Sequence, residues 1–151
     1  MKKLVPFICI ILACSLVLAV PAQAESVVEP RGSAFFASYG TDLYKSSSSS
    51  FQIWFDVIAN AGNTMQVLGV SEIIVYRSAD QQSWTKMRTY TMENYSQMVD
   101  QNTTYHADYV TYNYATTGYY YRAYITFYAK NSSGIAERYV YTEILRMRGQ
   151  A

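Results

Sequence analysis

Cysteine occurs only at Cys9 and Cys14 in this chain of 151 residues, and histidine only at His106. Both cysteines fall inside MKKLVPFICIILACSLVLAVPAQA, which joins Lys2 and Lys3 to an apolar run from Leu4 to Val20 and a small-x-small site at Ala22-Gln23-Ala24. That pattern predicts a secretory signal peptide over residues 1–24, cleaved after Ala24. The mature chain then has no thiol, which excludes disulfides, thiol nucleophiles and Cys-ligated zinc. With one imidazole, no Gly-x-Ser-x-Gly elbow and no His-Glu-x-x-His, the familiar hydrolase signatures are missing as well.

Charge of either sign is also scarce. Without Lys2 and Lys3 the count is 12 − 2 = 10 Lys+Arg against 11 Asp+Glu, a formal charge of −1, so nothing argues for nucleic acid. No second long apolar run follows the signal, so no membrane span is expected after cleavage. The predicted localisation is secreted and extracellular. Cutting after Ala24 leaves 151 − 24 = 127 residues, enough for one domain that buries a core without staples.

What the chain has in abundance is tyrosine, sixteen residues of it. Residues 25–33, ESVVEPRGS, read as a flexible leader broken by Pro30 and Gly32. After AFFASY, the run KSSSSS at 45–50 reads as a solvated polar connector. From Phe51 onward apolar and polar side chains alternate. Phe51, Ile53, Phe55, Val57 and Ala59 share one face, with Trp54 on the other. Residues 70–91 predict a hairpin, and YHADYVTYNY at 105–114 a further strand. ENYSQMVDQNT places Tyr95, Met98 and Val99 at helical spacing, which suggests a short helical turn or packed crossover.

In TGYYYRAYITFYAKNSSG, residues 117–134, the odd positions Tyr119, Tyr121, Ala123, Ile125, Phe127 and Ala129 predict a core face. The following strand is expected to turn Val140, Thr142 and Ile144 inward and Tyr139 and Tyr141 outward. The expected fold is all-β: a single antiparallel β-sandwich domain over residues 34–147, of about seven strands, with a tail at 148–151.

YYYRAYITFYAKNSSG, with Ala129, Asn131 and Gly134 at its turn, resembles the penultimate strand of a fibronectin type III or immunoglobulin-like domain. IIVYRSADQQSW is similar to the third strand of such domains. The stretch before Ala129 is longer than in those domains, which puts Tyr119 and Tyr121 out of register with the tyrosine that closes their corner. EPRGS, LGVSEIIVYRS with Trp84, YTMENYSQM and YRAYITFYAKNSSG together resemble an uncharacterised family of small secreted proteins from Gram-positive, clostridia-like bacteria. That resemblance implies an exported bacterial single-domain protein and carries no functional residue with it.

His106 and Asp108 share a strand face but supply two ligands where a stable metal site needs more, and they read as a surface polar pair. Asp56, Glu72, Asp100, Asp108, Glu137 and Glu143 are the carboxylates from which a glycosidase pair, about 5 to 10 Å apart in a cleft, would have to come. SADQQS and VDQNTT lack the acidic density of a calcium loop. The chain is therefore read as no enzyme, with no catalytic residue, metal or cofactor.

The even positions of the tyrosine-rich strand remain. Tyr120, Tyr124 and Tyr128 recur every four residues, interleaved with Arg122 and Lys130, and Tyr139 and Tyr141 can lie alongside. These seven residues form the candidate ligand-contact face, a flat surface of rings and cations suited to an extracellular glycan, cell-wall polymer or protein. The same residues also suit plain sheet stabilisation through cross-strand aromatic pairs. The leading functional expectation is a non-catalytic secreted binding module. The alternatives are a self-associating structural protein and a small carboxylate-based hydrolase.

Overall fold

The computed structural model describes residues 34–149; the signal peptide, its two cysteines, the leader at 25–33 and the last two residues lie outside the described residues. Nine strands follow in order: β1 (Phe36–Lys45), β2 (Phe51–Ala59), β3 (Met65–Ser78), β4 (Thr85–Thr91), β5 (Val99–Thr103), β6 (Tyr105–Tyr112), β7 (Tyr120–Asn131), β8 (Gly134–Tyr141) and β9 (Leu145–Arg146). One 3-10 turn, Ser96–Met98, precedes β5. All pairs are antiparallel and build two sheets, β1-β2-β6 and β4-β3-β7-β8, with β5 added to β3 and β9 to β7. Lettered A, B, C, C′, E, F and G, the strands β1, β2, β3, β4, β6, β7 and β8 put A, B and E in one sheet. C, F and G lie in the other, the partition of an immunoglobulin-like sandwich. The two strands beyond the expected seven, β5 and β9, are short pieces that prolong the second sheet.

Period-2 patterning explains the core. Phe51, Ile53, Phe55, Val57 and Ala59 of β2 are all buried, and so are Tyr121, Ala123, Ile125, Phe127 and Ala129 of β7. The two inner faces meet and exclude water from these side chains, each worth about 1.5 to 3 kcal/mol for the larger aliphatic and aromatic residues. Trp54 points away from this core, as its register parity requires. Among the described residues no helix is long and apolar enough to cross a membrane.

Two local expectations need correction, those for Ile144 and for the tyrosine register. Ile144 is exposed, because the chain leaves β8 at Tyr141 and turns; Leu145 and Met147 then take up core positions instead. Thr142 makes that turn: its backbone N–H donates to the Ala123 carbonyl, and its Oγ1 accepts from the Ala123 N–H at 2.9 Å. The serine run is the solvated connector expected, with Lys45, Ser46, Ser48 and Ser49 exposed, and it is closed by backbone hydrogen bonds. Ser46 and Ser47 both donate to the Ser50 carbonyl, and Ser49 accepts from Ala115 at 2.8 Å. The tyrosine register also differs from expectation, since the Tyr121 hydroxyl accepts the Thr116 N–H at 2.8 Å and ties the corner before β7.

Tyr90 on β4 bridges the sheets by donating its hydroxyl to the Thr111 carbonyl at 3.0 Å. Burial pushes its phenol up to about 12. The neutral form is the one the fold accommodates, so this contribution is complete below the unfolded value near 10 and is lost as pH rises from there through 12. Urea unfolding at pH 8 and pH 11.5 is expected to show a loss of stability that is smaller in Tyr90→Phe. An equal alkaline loss in both proteins would contradict the assignment.

Candidate functional site

The outer face of the second sheet is built by register. Strand β7 lies between β3 and β8, so its outward residues meet partners on both sides. Tyr124 is opposite Ile74 and Tyr141, and Arg122 opposite Tyr76. Thr126 is opposite Glu72 and Tyr139, and Tyr128 opposite Glu137. Tyr120 faces Arg146 of β9.

At the centre is Arg122. Its guanidinium carbon lies 4.2 Å from the ring centroid of Trp84 on one side and 4.3 Å from that of Tyr141 on the other. Tyr141 packs in turn on Tyr124 at 4.7 Å, and Tyr124 lies parallel to Tyr139 at 5.9 Å and 8°. The result is a ladder across two strands and a loop: Trp84, Arg122, Tyr141, Tyr124, Tyr139. Tyr76 adjoins it, 6.4 Å from Tyr141.

Trp84 reaches Arg122 because of the loop that precedes β4. Asp80 Oδ1 accepts the backbone N–H groups of Gln82 and Ser83, both at 2.9 Å, and the Ser78 hydroxyl at 3.0 Å. The bond from the Ser83 N–H, then that from Gln82, holds the Asp80 carboxyl below the usual range. Gln81 takes a left-handed conformation with φ 64, and its carbonyl accepts the Trp84 indole N–H at 3.2 Å. The oxygen-rich SADQQS segment is thus a turn that aims an indole.

Arg122 forms no hydrogen bond or ion pair among the described residues, and its Nε is buried with no partner. A guanidinium stacked on rings keeps its in-plane N–H groups free for a planar acceptor such as a carboxylate or phosphate. The surrounding charge favours the same sign of ligand. Among the paired strand residues of this face, Lys86, Arg122, Lys130 and Arg146 are the bases and Glu72 and Glu137 the acids, with the Asp80 carboxyl in the turn before Trp84. Glu137 is already engaged, accepting the Tyr139 hydroxyl at 2.7 Å. That bond raises the Tyr139 phenol, and desolvation raises Tyr124, so neither ring adds negative charge at neutral pH.

Of the seven residues of the predicted face, Arg122, Tyr124, Tyr139 and Tyr141 come together. Tyr139 and Tyr141 are 57% and 49% exposed. Tyr120 stands at one end, its ring under the Arg146 guanidinium at 5.4 Å. Tyr128 and Lys130 lie at the other end, beyond Thr126, and Tyr128 has no ring partner among the described residues. The serine turn does not cover the ladder, since its bonds run to Ala115 and Thr117. Elsewhere, His106 sits 3.0 Å from the Gln97 carbonyl through Nε2, with its ring on Phe55.

Sequence reasoning missed Trp84 and Tyr76 as members of the site. The indole follows a turn, and only the pairing of β3 with β7 brings it to Arg122. The one signal for it is a Ser-x-Asp turn segment, SADQQS, closing immediately before a tryptophan.

No protein-family model matches the chain, and no curated protein does. Among solved structures, the X-ray structure of Northeast Structural Genomics Consortium target SoR45 is similar at 11% identity and a TM-score of 0.29. The match covers 74% of this chain and 84% of that one. The all-β sandwich is read from the strand order, and this likeness adds no argument about function.

Proposed function

We propose that the protein is a non-catalytic extracellular binding module whose outer sheet face, centred on Arg122, holds an anionic cell-wall polymer or glycan. The observation that carries this reading is the Arg122 guanidinium, clamped between Trp84 and Tyr141, whose Nε is shielded and whose terminal nitrogens make no hydrogen bond among the described residues. One face each of Trp84 and Tyr141 is taken by the cation, so the ladder does not offer a row of bare ring faces for stacking. What it presents is a cation, phenol hydroxyls and ring edges on a flat sheet face whose paired strand residues carry four bases and two acids. That suits a long acidic polymer lying along the sheet, with Lys86, Lys130 and Arg146 as outlying contacts. The resemblance to small exported Gram-positive proteins directs the choice of polymer.

Cosedimentation with insoluble peptidoglycan tests it, using wall that carries its phosphate polyesters and wall stripped of them. The intact wall is expected to retain the protein, with weaker retention as salt rises. Arg122→Gln and Tyr141→Ala, matched to wild type by circular dichroism, should each lose roughly tenfold or more in affinity, as truncated centre residues do. Equal retention on both walls, or variants that bind as wild type does, would sink the reading. Sizing over a concentration series separates self-association: a species that grows with concentration and is lost in Tyr139→Ala would assign this face to a second copy instead.

A further inference from the structure

A concavity lies at the side of the sandwich where β4, an edge of one sheet, faces β6, an edge of the other. Its volume is about 500 Å³, in the range that takes a small ligand. Two opposite charges enter it. Arg88 stands opposite buried Val75 in register and so points between the sheets from β4, while Asp108 stands opposite buried Phe55 and does the same from β6.

Both are held in place without each other. The Arg88 Nη2 donates to the Tyr95 hydroxyl at 2.9 Å, and its guanidinium lies over the rings of Tyr90 at 5.2 Å and Tyr114 at 5.6 Å. Asp108 Oδ1 accepts the Tyr109 N–H at 2.7 Å, which leaves the other carboxylate oxygen unengaged. Among the described residues the two charges line one groove and form no ion pair.

A row of exposed rings leads out of the groove. Tyr109 lines it and stacks on Trp54, its cross-strand partner, at 4.7 Å and 29°. Tyr44 meets Trp54 edge-on at 6.3 Å. Trp54 and Tyr44 are 38% and 53% exposed, so the row forms a ledge across the outside of the first sheet.

We propose that this groove is a saccharide-binding subsite in which neighbouring hydroxyls of a neutral sugar bridge Arg88 and Asp108, with the glycan continuing along Tyr109, Trp54 and Tyr44. A simple anion meets Asp108 and a simple cation meets Arg88, so either is opposed by one wall of the groove. A sugar hydroxyl both donates and accepts. One can accept from the guanidinium while its neighbour donates to the free carboxylate oxygen, and the C–H face of the next ring packs on the ledge. The site shares no residue with the Arg122 face, so each can fail without the other.

The test is a heteronuclear NMR titration of the whole protein with four soluble neutral probes: cellohexaose, chitohexaose, xylohexaose and mannohexaose. At least one probe is expected to shift the Trp54 indole N–H and the amides of Tyr109 and Thr111, saturating at millimolar concentration or below. The isosteric Asp108→Asn, which keeps an acceptor for the Tyr109 N–H, should weaken that probe tenfold or more, and Arg88→Gln likewise. The proposal is overturned if no probe moves these signals at 10 mM, a concentration well above the about 1 mM that marks weak specific binding. It is equally overturned if Asp108→Asn binds the active probe as tightly as wild type.

Discussion

Replacing Gly69 with alanine is expected to remove a large part of the protein's stability. Gly69 is buried in β3 with φ 153, at the point where β3 ends its pairing with β5 and shifts register against β7 before meeting β4. A methyl there would come within 2.7 Å of the Val99 Cα and closer still to the Met98 carbonyl oxygen. Both atoms are backbone, so no side chain can swing aside. The 3-10 turn that carries Ser96–Met98 across β3 would have to move, and the Met98 side chain buried beneath it would move as well. Backbone strain and overpacking together cost roughly 2 to 6 kcal/mol. Net stabilities of domains this size are only about 5 to 15 kcal/mol. Gly62 is the control, with φ 82 but open space around it, so Gly62→Ala isolates the conformational term and should cost about 1 kcal/mol. Urea unfolding midpoints decide the matter; equal losses for the two variants would show that the crossing does not press on β3.

Tyr121→Ala is expected to cost roughly 3 to 5 kcal/mol, the range for deleting a buried ring. Tyr121 is fully buried, with Phe51 at 5.2 Å and Tyr112 at 5.9 Å, so its ring joins the two sheets at one end of the core. Its hydroxyl adds a separate contribution by accepting the Thr116 N–H. Tyr121→Phe keeps the ring and leaves that donor unpaired, for a smaller cost of about 1 kcal/mol. The two variants thus divide packing from hydrogen bonding by denaturant titration. A Tyr121→Phe protein as unstable as Tyr121→Ala would mean that the corner bond, and not the ring, holds the sheets together.

The strands that bury one face were legible because a period of two writes itself into composition. In β2 and β7 every core residue could be named from parity alone. Strand β1 shows in the sequence only as the short AFFASY segment, since most of its residues are exposed or half-exposed on both sides and nothing alternates. Met98 and Val99 stand at helical spacing from Tyr95, and the 3-10 turn does carry Met98 into the core, but Val99 already begins β5. The outward set Arg122, Tyr124, Tyr139 and Tyr141 followed from the same parity. Trp84 did not, because its contact with Arg122 depends on a turn conformation and a register that only the folded chain displays. The groove was invisible for a similar reason. Arg88 and Asp108 face each other across two sheets, and nothing local in either strand announces the other.

The most direct test of the Arg122 face is tyrosine nitration mapped by mass spectrometry, on the free protein and on the protein held by intact phosphate-bearing wall. Tyr139 and Tyr141 are exposed on the ladder, while Tyr105 and Tyr44 are exposed on the opposite sheet. The account predicts that wall binding shields Tyr139 and Tyr141 and leaves Tyr105 reacting as in the free protein. Tyr139 and Tyr141 nitrating at unchanged rates in the bound state would contradict it.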